Sequence, residues 1–296
     1  MNQIPFDTLA VYVGLAAWIL IAAFDYRKKS FAATIVVGIV LTIILNLRYL
    51  IDGAADGIAF FVGLYDLFDN IGLGAGETAS ALATCPANEC STSGFTQHQS
   101  WGVAFYERFA NGPDLRSNLL YAHLTFNTIV FVLMHYQLLK PGTGANQAMH
   151  RMLGRISFAC LTLGTICAIW LASEHGPVGA YGGDLSTYGF YFMSFCVYGC
   201  AVMGVVKVRG GDMATHRIWM IRFAGAMYGA YWLFRIMLIV TGPLFREYES
   251  VSLLLSIWLS APLGIVAAEL LRKHLERVSR ERRSDQIGSA LGASPG

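Results

Sequence analysis

Apolar residues run in long blocks along this chain, and polar and charged residues gather between the blocks rather than inside them. A membrane-spanning helix needs about 20 predominantly apolar residues. Seven stretches qualify, at roughly 8 to 25, 31 to 51, 117 to 139, 154 to 173, 187 to 207, 218 to 240 and 250 to 271. The first lacks the small-residue cleavage pattern of a signal peptide and reads as an anchor. The pattern predicts an all-α, polytopic helical bundle with about seven transmembrane helices.

Composition supports a bilayer setting. Of 296 residues, 55% are apolar and 14% charged, well below the roughly one quarter charged residues of a soluble domain. Mean hydropathy is +0.51. Arg27, Lys28, Lys29, Lys140, Arg151, Arg155, Lys207, Arg209, Arg217, Arg222 and the Arg272 to Arg283 tail fall on one side of the predicted topology. Arg48, Arg108, Arg116, Arg235 and Arg246 fall on the other, with most of the acids. The positive-inside rule therefore predicts an outside N-terminus and an inside C-terminus. The basic tail reads as a flank on an anionic leaflet rather than a nucleic-acid site, and the Gly- and Ser-rich end after Asp285 is expected to be disordered.

Four regions follow. Residues 1–52 hold the first two spans, 53–116 an extracytoplasmic loop, 117–271 a five-helix core, and 272–296 the cytoplasmic tail. Within the loop, Ile58 to Phe68 places Phe61, Leu64, Tyr65 and Phe68 on one helical face, too short to span and suited to an interfacial or re-entrant helix. Cys85 and Cys90, in Cys-Pro-Ala-Asn-Glu-Cys, are candidates for a disulfide in an oxidising compartment; free thiols or a metal clip are the alternatives. Cys160, Cys167, Cys196 and Cys200 read as small packing residues in helices.

The candidate chemistry begins with a repeated element, His150-Arg-Met-Leu-Gly-Arg155 and His216-Arg-Ile-Trp-Met-Ile-Arg222. Superposing the two aligns the third and fourth spans with the fifth and sixth, a candidate duplicated His-Arg hairpin. Arg151, Arg155, Arg217 and Arg222 sit at helix N-termini, where guanidinium groups and backbone amides together attract an anion. The same arginines also suit snorkelling to phospholipid headgroups.

Histidine adds a second theme. His135, near the end of the third span, is expected at a depth similar to His150 and His216, and such a trio suits a metal ion, axial ligation of haem b, or proton transfer. His123, twelve residues before His135, has Asn127 one turn below it. A two-haem arrangement fits poorly, because only His175 could pair with His123 at its level. Arg235 lies among Tyr228, Tyr231, Trp232 and Phe234, where an unpaired guanidinium is expensive. Asp184, Glu174 or a ligand carboxylate are its candidate partners, and it joins the four arginines as an anion-binding candidate. Glu269 reads as a local ion-pair partner of Arg272 and Lys273.

The order Asn118-Leu-Leu-Tyr-Ala-His123, then His150-Arg-Met-Leu-Gly-Arg155, then His216-Arg-Ile-Trp-Met-Ile-Arg222 with Arg235 downstream resembles the membrane-protein family known as domain of unknown function 2306. The resemblance covers about residues 115 to 240. It implies a polytopic helical membrane protein and leaves the reaction open. The chain has no phosphate-binding glycine loop, no Asp-rich diphosphate motif, no Ser-His-Asp order and no retinal lysine in the last span.

Three functions are weighed. The first is a membrane redox or electron-transfer protein binding a haem, metal or quinone near the inner leaflet through the His/Arg clusters. The second is a membrane enzyme acting on a phosphate-bearing lipid or prenyl substrate. The third is a non-catalytic accessory or scaffold subunit. In each the bilayer is the first partner, a membrane protein or a second copy of the chain is a further candidate, and the setting is a bacterial cytoplasmic membrane or an organelle inner membrane.

Overall fold

A computed structural model of the chain describes residues 6–28, 32–51, 114–140, 146–173, 183–241 and 249–292, together with 53, 109 and 245. The loop that carries Ile58 to Phe68, Cys85, Cys90 and His98 lies outside the described residues, as do Glu174 and His175.

The described chain is helical throughout: α1 (Phe6–Lys28), α2 (Ala32–Ile51), α3 (Asp114–Leu139), α4 (Gln147–Ser173), α5 (Asp184–Arg209), α6 (Met213–Tyr228), a π-helical turn (Gly229–Leu233), α7 (Phe234–Thr241) and α8 (Glu249–Gly292). The helix, the turn and α7 together form one rod, so the described residues make seven rods. Among them α2, α3, α4, α5 and the stretch Val251–Arg280 of α8 are long and apolar enough to cross a bilayer. In hydrocarbon every main-chain N–H and C=O needs a partner within its own segment, which is why apolar blocks of this length settle as helices. Apolar side chains also cover the outside: Leu20 and Phe195 are each 72% exposed and Leu270 62%. A surface of this kind is stable against acyl chains and not against water. The protein is an integral, multi-pass helical membrane protein.

Two boundaries differ from the sequence expectation. The sixth span is not one continuous α-helix but is widened at Gly229–Leu233, which hydrophobic blocks cannot reveal because both backbones bury the same face. The end of order expected near Asp285 is also displaced, since α8 continues as helix to Gly292.

The rods are joined by two kinds of contact. Small residues let the backbones of α6 and α8 touch. A Cβ on Gly225 would lie 2.5 Å from the Gly264 carbonyl oxygen, and one on Gly229 would collide with the Ser260 carbonyl. Gly225 and Gly229 are four apart, as are Ser252, Ser256, Ser260, Gly264 and Ala268, the small-residue spacing of close-packed membrane helices. Polar side chains join the remaining rods. Asp25 accepts from the Thr34 amide and hydroxyl at 2.9 and 2.8 Å, tying α1 to the start of α2. Asn46 on α2 donates to Thr128 on α3 at 2.5 Å and accepts from the Tyr231 hydroxyl at 2.6 Å. Trp232 donates to Thr42 at 3.0 Å. The π-turn is thereby fastened to α2.

One end of the bundle collects the basic residues. Tyr26 near the end of α1 stacks on His274 of α8 with ring centroids 5.6 Å apart, and Arg222 of α6 reaches Glu269 of α8. This is called the basic end below, and its opposite the far end. At the turn into α6, Gly211 takes φ 79°, and Asp212 caps the helix by accepting from the Thr215 amide at 3.0 Å. The backbone and side-chain hydrogen bonds from Thr215, and beyond them the charge of Lys207, hold the Asp212 carboxyl below the usual carboxylate range.

Candidate functional site

The far half of the bundle holds a partly open cavity of about 310 Å³ between α2, α3, α4, α5, the end of α6, the π-turn, α7 and α8. Its wall is mainly Leu, Phe, Met, Val and Ala, with a few polar groups set into it, the usual make-up of a small-molecule site. Those groups are Asn46, Tyr49, His123, Asn127, Tyr231 and Arg235, with Thr165 and Ser194 opposite.

The geometry fixes what His123 can do. Its Nδ1 lies 2.9 Å from the Gly164 carbonyl oxygen. A carbonyl only accepts, so Nδ1 carries the proton and Nε2 of the neutral ring is the acceptor. The Asn127 amide nitrogen lies 3.1 Å from Nδ1 and 3.2 Å from Nε2, and only Nε2 can receive its hydrogen. Gly164 makes the arrangement fit: a Cβ there would stand 3.2 Å from Asn127 Oδ1.

Arg235 supplies the charge. Its Nη1 donates to the Tyr231 carbonyl at 2.7 Å, and its guanidinium carbon lies 3.9 Å from the centroid of the Tyr231 ring. The cation–π partner is therefore on its own rod, one turn back. Among the described residues no salt bridge joins it to a carboxylate, Asp184 included, while Glu174 lies outside them. Arg235 is within electrostatic reach of both His123 and Tyr49. Tyr231 is itself held by Asn46, so the chain Thr128, Asn46, Tyr231, Arg235 ends at the one cation among the described residues of the cavity wall. At the far end Arg116, 1% exposed, donates to the Leu171 carbonyl at 3.0 Å and lies over Phe109, two residues of the cavity wall.

The basic end is arranged differently. Arg151, Arg155 and Arg217 are exposed. Arg222 lies over the Trp219 ring at 4.7 Å and pairs with Glu269 at 3.4 Å. Glu269 also takes Arg272 at 2.6 Å, which in turn reaches Glu276 at 2.6 Å. The acid thus binds two arginines where the sequence suggests Arg272 and Lys273.

The three histidines of the second theme are not brought together. His135 is 1% exposed and has both ring nitrogens engaged, Nδ1 with the Phe131 carbonyl at 2.6 Å and Nε2 with the Tyr228 hydroxyl at 2.7 Å. Tyr228 lies twelve residues beyond His216, about 18 Å of helix rise. His216 instead faces α5, its Nδ1 donating to the Gly204 carbonyl at 2.8 Å. His150 is within electrostatic reach of His216. Among the described residues no three His, Cys, Asp or Glu side chains stand close enough to hold a metal ion, and Cys160, Cys167, Cys196 and Cys200 are free thiols.

Of the sequence candidates, then, His123, Asn127 and Arg235 share the cavity, while His150 and His216 lie at the basic end. Sequence reasoning missed Asn46 and Tyr49, and named Tyr231 only as a neighbour of Arg235. Asn46 had a readable signal, an amide in the middle of an apolar block, where a polar group needs a partner.

The fold defines a polytopic helical membrane protein with a partly open, mostly apolar cavity. Comparison with family models places the chain more closely: residues 120–271 match the family described as "Predicted membrane protein (DUF2306)", and the chain belongs to that family. The match starts near the point expected from the His/Arg motifs and extends through the last span, about thirty residues beyond Val240. No curated protein and no solved structure matches the chain.

Proposed function

We propose that the protein is a membrane redox component that binds a quinone-class molecule in the far-half cavity. The observation that carries this reading is Arg235, a cation without a carboxylate partner among the described residues, set into an otherwise apolar wall beside His123 and Asn127. An uncompensated charge away from water is expensive, and a ligand oxygen that accepts from the guanidinium offsets that expense. A quinone ring suits both features, with an apolar ring and tail for the wall and carbonyl oxygens for the donors. As negative charge builds on such an oxygen during reduction, a fixed guanidinium in a low-dielectric site stabilises it. His123 is tethered through Nδ1, and its Nε2, which receives the Asn127 amide hydrogen in the structure, is the nitrogen that exchanges a proton with the ligand oxygen once that oxygen takes the place of the amide. Electrons come from a reductant outside the chain.

The site lies away from the basic end, so this reading relocates the ligand from the His/Arg clusters that are conspicuous in the sequence. The positive-inside rule places the basic end in the cytoplasm and the cavity toward the opposite leaflet.

The test is titration of the detergent-purified protein with a short-tailed benzoquinone, followed by tryptophan fluorescence. Saturable binding with one site per chain, weakened at least tenfold in Arg235→Gln and in His123→Gln, is the expected result. No saturable binding, or equal binding by both variants, overturns the reading.

The phosphate-lipid reading is supported by Arg151, Arg155 and Arg217, exposed at the basic end. It predicts that Arg155→Gln, which leaves the cavity untouched, abolishes association with vesicles containing anionic phospholipid headgroups.

A further inference from the structure

A serine or threonine inside a helix commonly gives its hydroxyl hydrogen to the carbonyl four residues back. Thr42, Thr128 and Thr162 do so at 2.8, 2.7 and 2.9 Å. Thr165 and Ser194 do not: both line the cavity, and neither hydroxyl has a hydrogen-bond partner among the described residues. Ser186 and Ser260 also lack a partner, but they are fully buried and stand outside the cavity wall. A polar group kept from water without a bond costs free energy, so two open hydroxyls in a largely apolar wall call for a ligand that accepts from them.

The two hydroxyls belong to one level of one wall. Thr162 on α4 meets Tyr198 on α5, hydroxyl to hydroxyl, at 3.2 Å, and Ser173 meets Tyr191 at 2.6 Å. The helices are antiparallel, so Thr165 and Ser194 lie on the same side of the first tie, about 4.5 and 6 Å of helix rise from it. Gly164, next to Thr165, accepts from His123 Nδ1 at 2.9 Å, which sets the hydroxyls level with His123. Arg235 belongs to a different wall. Its rod is fastened to α2, where Tyr231 donates to Asn46 at 2.6 Å and Trp232 to Thr42 at 3.0 Å. Donors thus reach the cavity from two sides, a guanidinium from α7 beside α2, and two hydroxyls from α4 and α5.

We propose, resting on the quinone reading of the cavity, that the ligand is a para-quinone gripped at both ends, one carbonyl oxygen by Arg235 and the other by Thr165 and Ser194. A carbonyl oxygen only accepts, and its two lone pairs suffice for both hydroxyls. An ortho-quinone carries its oxygens side by side, so turning both to Arg235 leaves the hydroxyls unpaired. A site built to pair such groups discriminates against a ligand that cannot pair them. Thr165 and Ser194 are therefore specificity-determining residues.

The experiment compares tetramethyl-1,4-benzoquinone with its 1,2 isomer, titrated into the detergent-purified full chain and followed by tryptophan fluorescence. Every ring carbon of both carries a methyl group or an oxygen, which keeps the protein's thiols from adding to the ring. Wild type is expected to prefer the 1,4 isomer about tenfold, the size of one or two neutral hydrogen bonds. Thr165→Val/Ser194→Ala is expected to lose that preference while its affinity for the 1,2 isomer, which reports that the variant is folded, changes less than about twofold. Thr165→Val and Ser194→Ala alone are each expected to narrow the preference, so a double variant that fails to fold leaves the comparison intact. Equal affinity of wild type for the two isomers, or a preference that survives undiminished in the variants, overturns the proposal and leaves the quinone reading standing. Saturable binding of neither isomer overturns both.

Discussion

The basic end and the far-half cavity handle charge in opposite ways. At the basic end guanidinium groups are numerous, but Arg151, Arg155 and Arg217 are exposed, and Arg222 shares Glu269 with Arg272. Among the described residues of the cavity wall there is one cation, Arg235, half-buried among largely apolar side chains and packed on Tyr231. Exposed charges are screened and interact weakly, with surface pairs contributing about 0–1 kcal/mol. An enclosed charge acts at a far lower effective dielectric. Abundance of charge therefore marks orientation in the bilayer, and enclosure of charge marks the candidate site.

The largest effect that sharpens this contrast is on binding. Arg235→Gln is expected to weaken benzoquinone at least tenfold, while Arg155→Gln changes it less than twofold. Equal effects of the two substitutions in the same fluorescence titration would erase the distinction between the ends.

Next in size is the seam between α6 and α8. Gly264→Val puts a branched side chain where the Gly225 carbonyl already touches, and overpacking of this kind costs about 1–3 kcal/mol or more. A lowered midpoint in a thermal melt, with less monodisperse protein, is the expected outcome. An unchanged melt means that α6 and α8 do not meet at these glycines.

Asn46→Ala comes third. It takes from the Tyr231 hydroxyl its 2.6 Å acceptor and from Thr128 its amide donor, a loss of about 1–3 kcal/mol for buried polar groups. Because Asn46 acts on Arg235 through Tyr231, the variant should also bind benzoquinone more weakly, while Asn46→Asp, which keeps the acceptor for Tyr231, recovers part of the affinity. Binding unchanged in Asn46→Ala breaks the proposed chain of support.

The smallest effects belong to the basic end. Arg222→Gln removes a half-exposed pair with Glu269 and should lower stability by less than about 1 kcal/mol. Asp212→Ala removes the cap of α6, and pH gives its sign. The folded carboxyl is held below its unfolded value, so its stabilisation is fully present above the unfolded value of about 3.9 and fades as pH falls through the lower folded value. Melting curves of wild type and variant should therefore differ near neutral pH and converge in acid. A difference that grows in acid contradicts the assignment.

Much of the fold was legible because a bilayer reduces helix prediction to the length of apolar blocks. The edges were less legible: α4 begins at Gln147, several residues before its apolar block, since polar residues continue a helix that has already left the hydrocarbon. His123, Asn127 and Arg235 could be picked out as polar groups inside apolar blocks, and the structure gathers these three into one cavity. His135 carried the same signal, yet it is bonded to Phe131 and Tyr228. A buried polar residue satisfied by its neighbours and one facing a cavity look identical in a sequence.

What the sequence by itself determined is the class of protein, the spans and the crowding of basic residues at one end, because these follow from hydropathy summed along a single segment. Only the tertiary structure decided which polar groups meet. The small-residue seam between α6 and α8, the widened turn at Gly229–Leu233 and the bonds of Asn46 to Thr128 and Tyr231 set how the rods face one another. Those contacts join residues up to 185 positions apart, and no local pattern of apolar and polar positions encodes how one helix is turned against its neighbour.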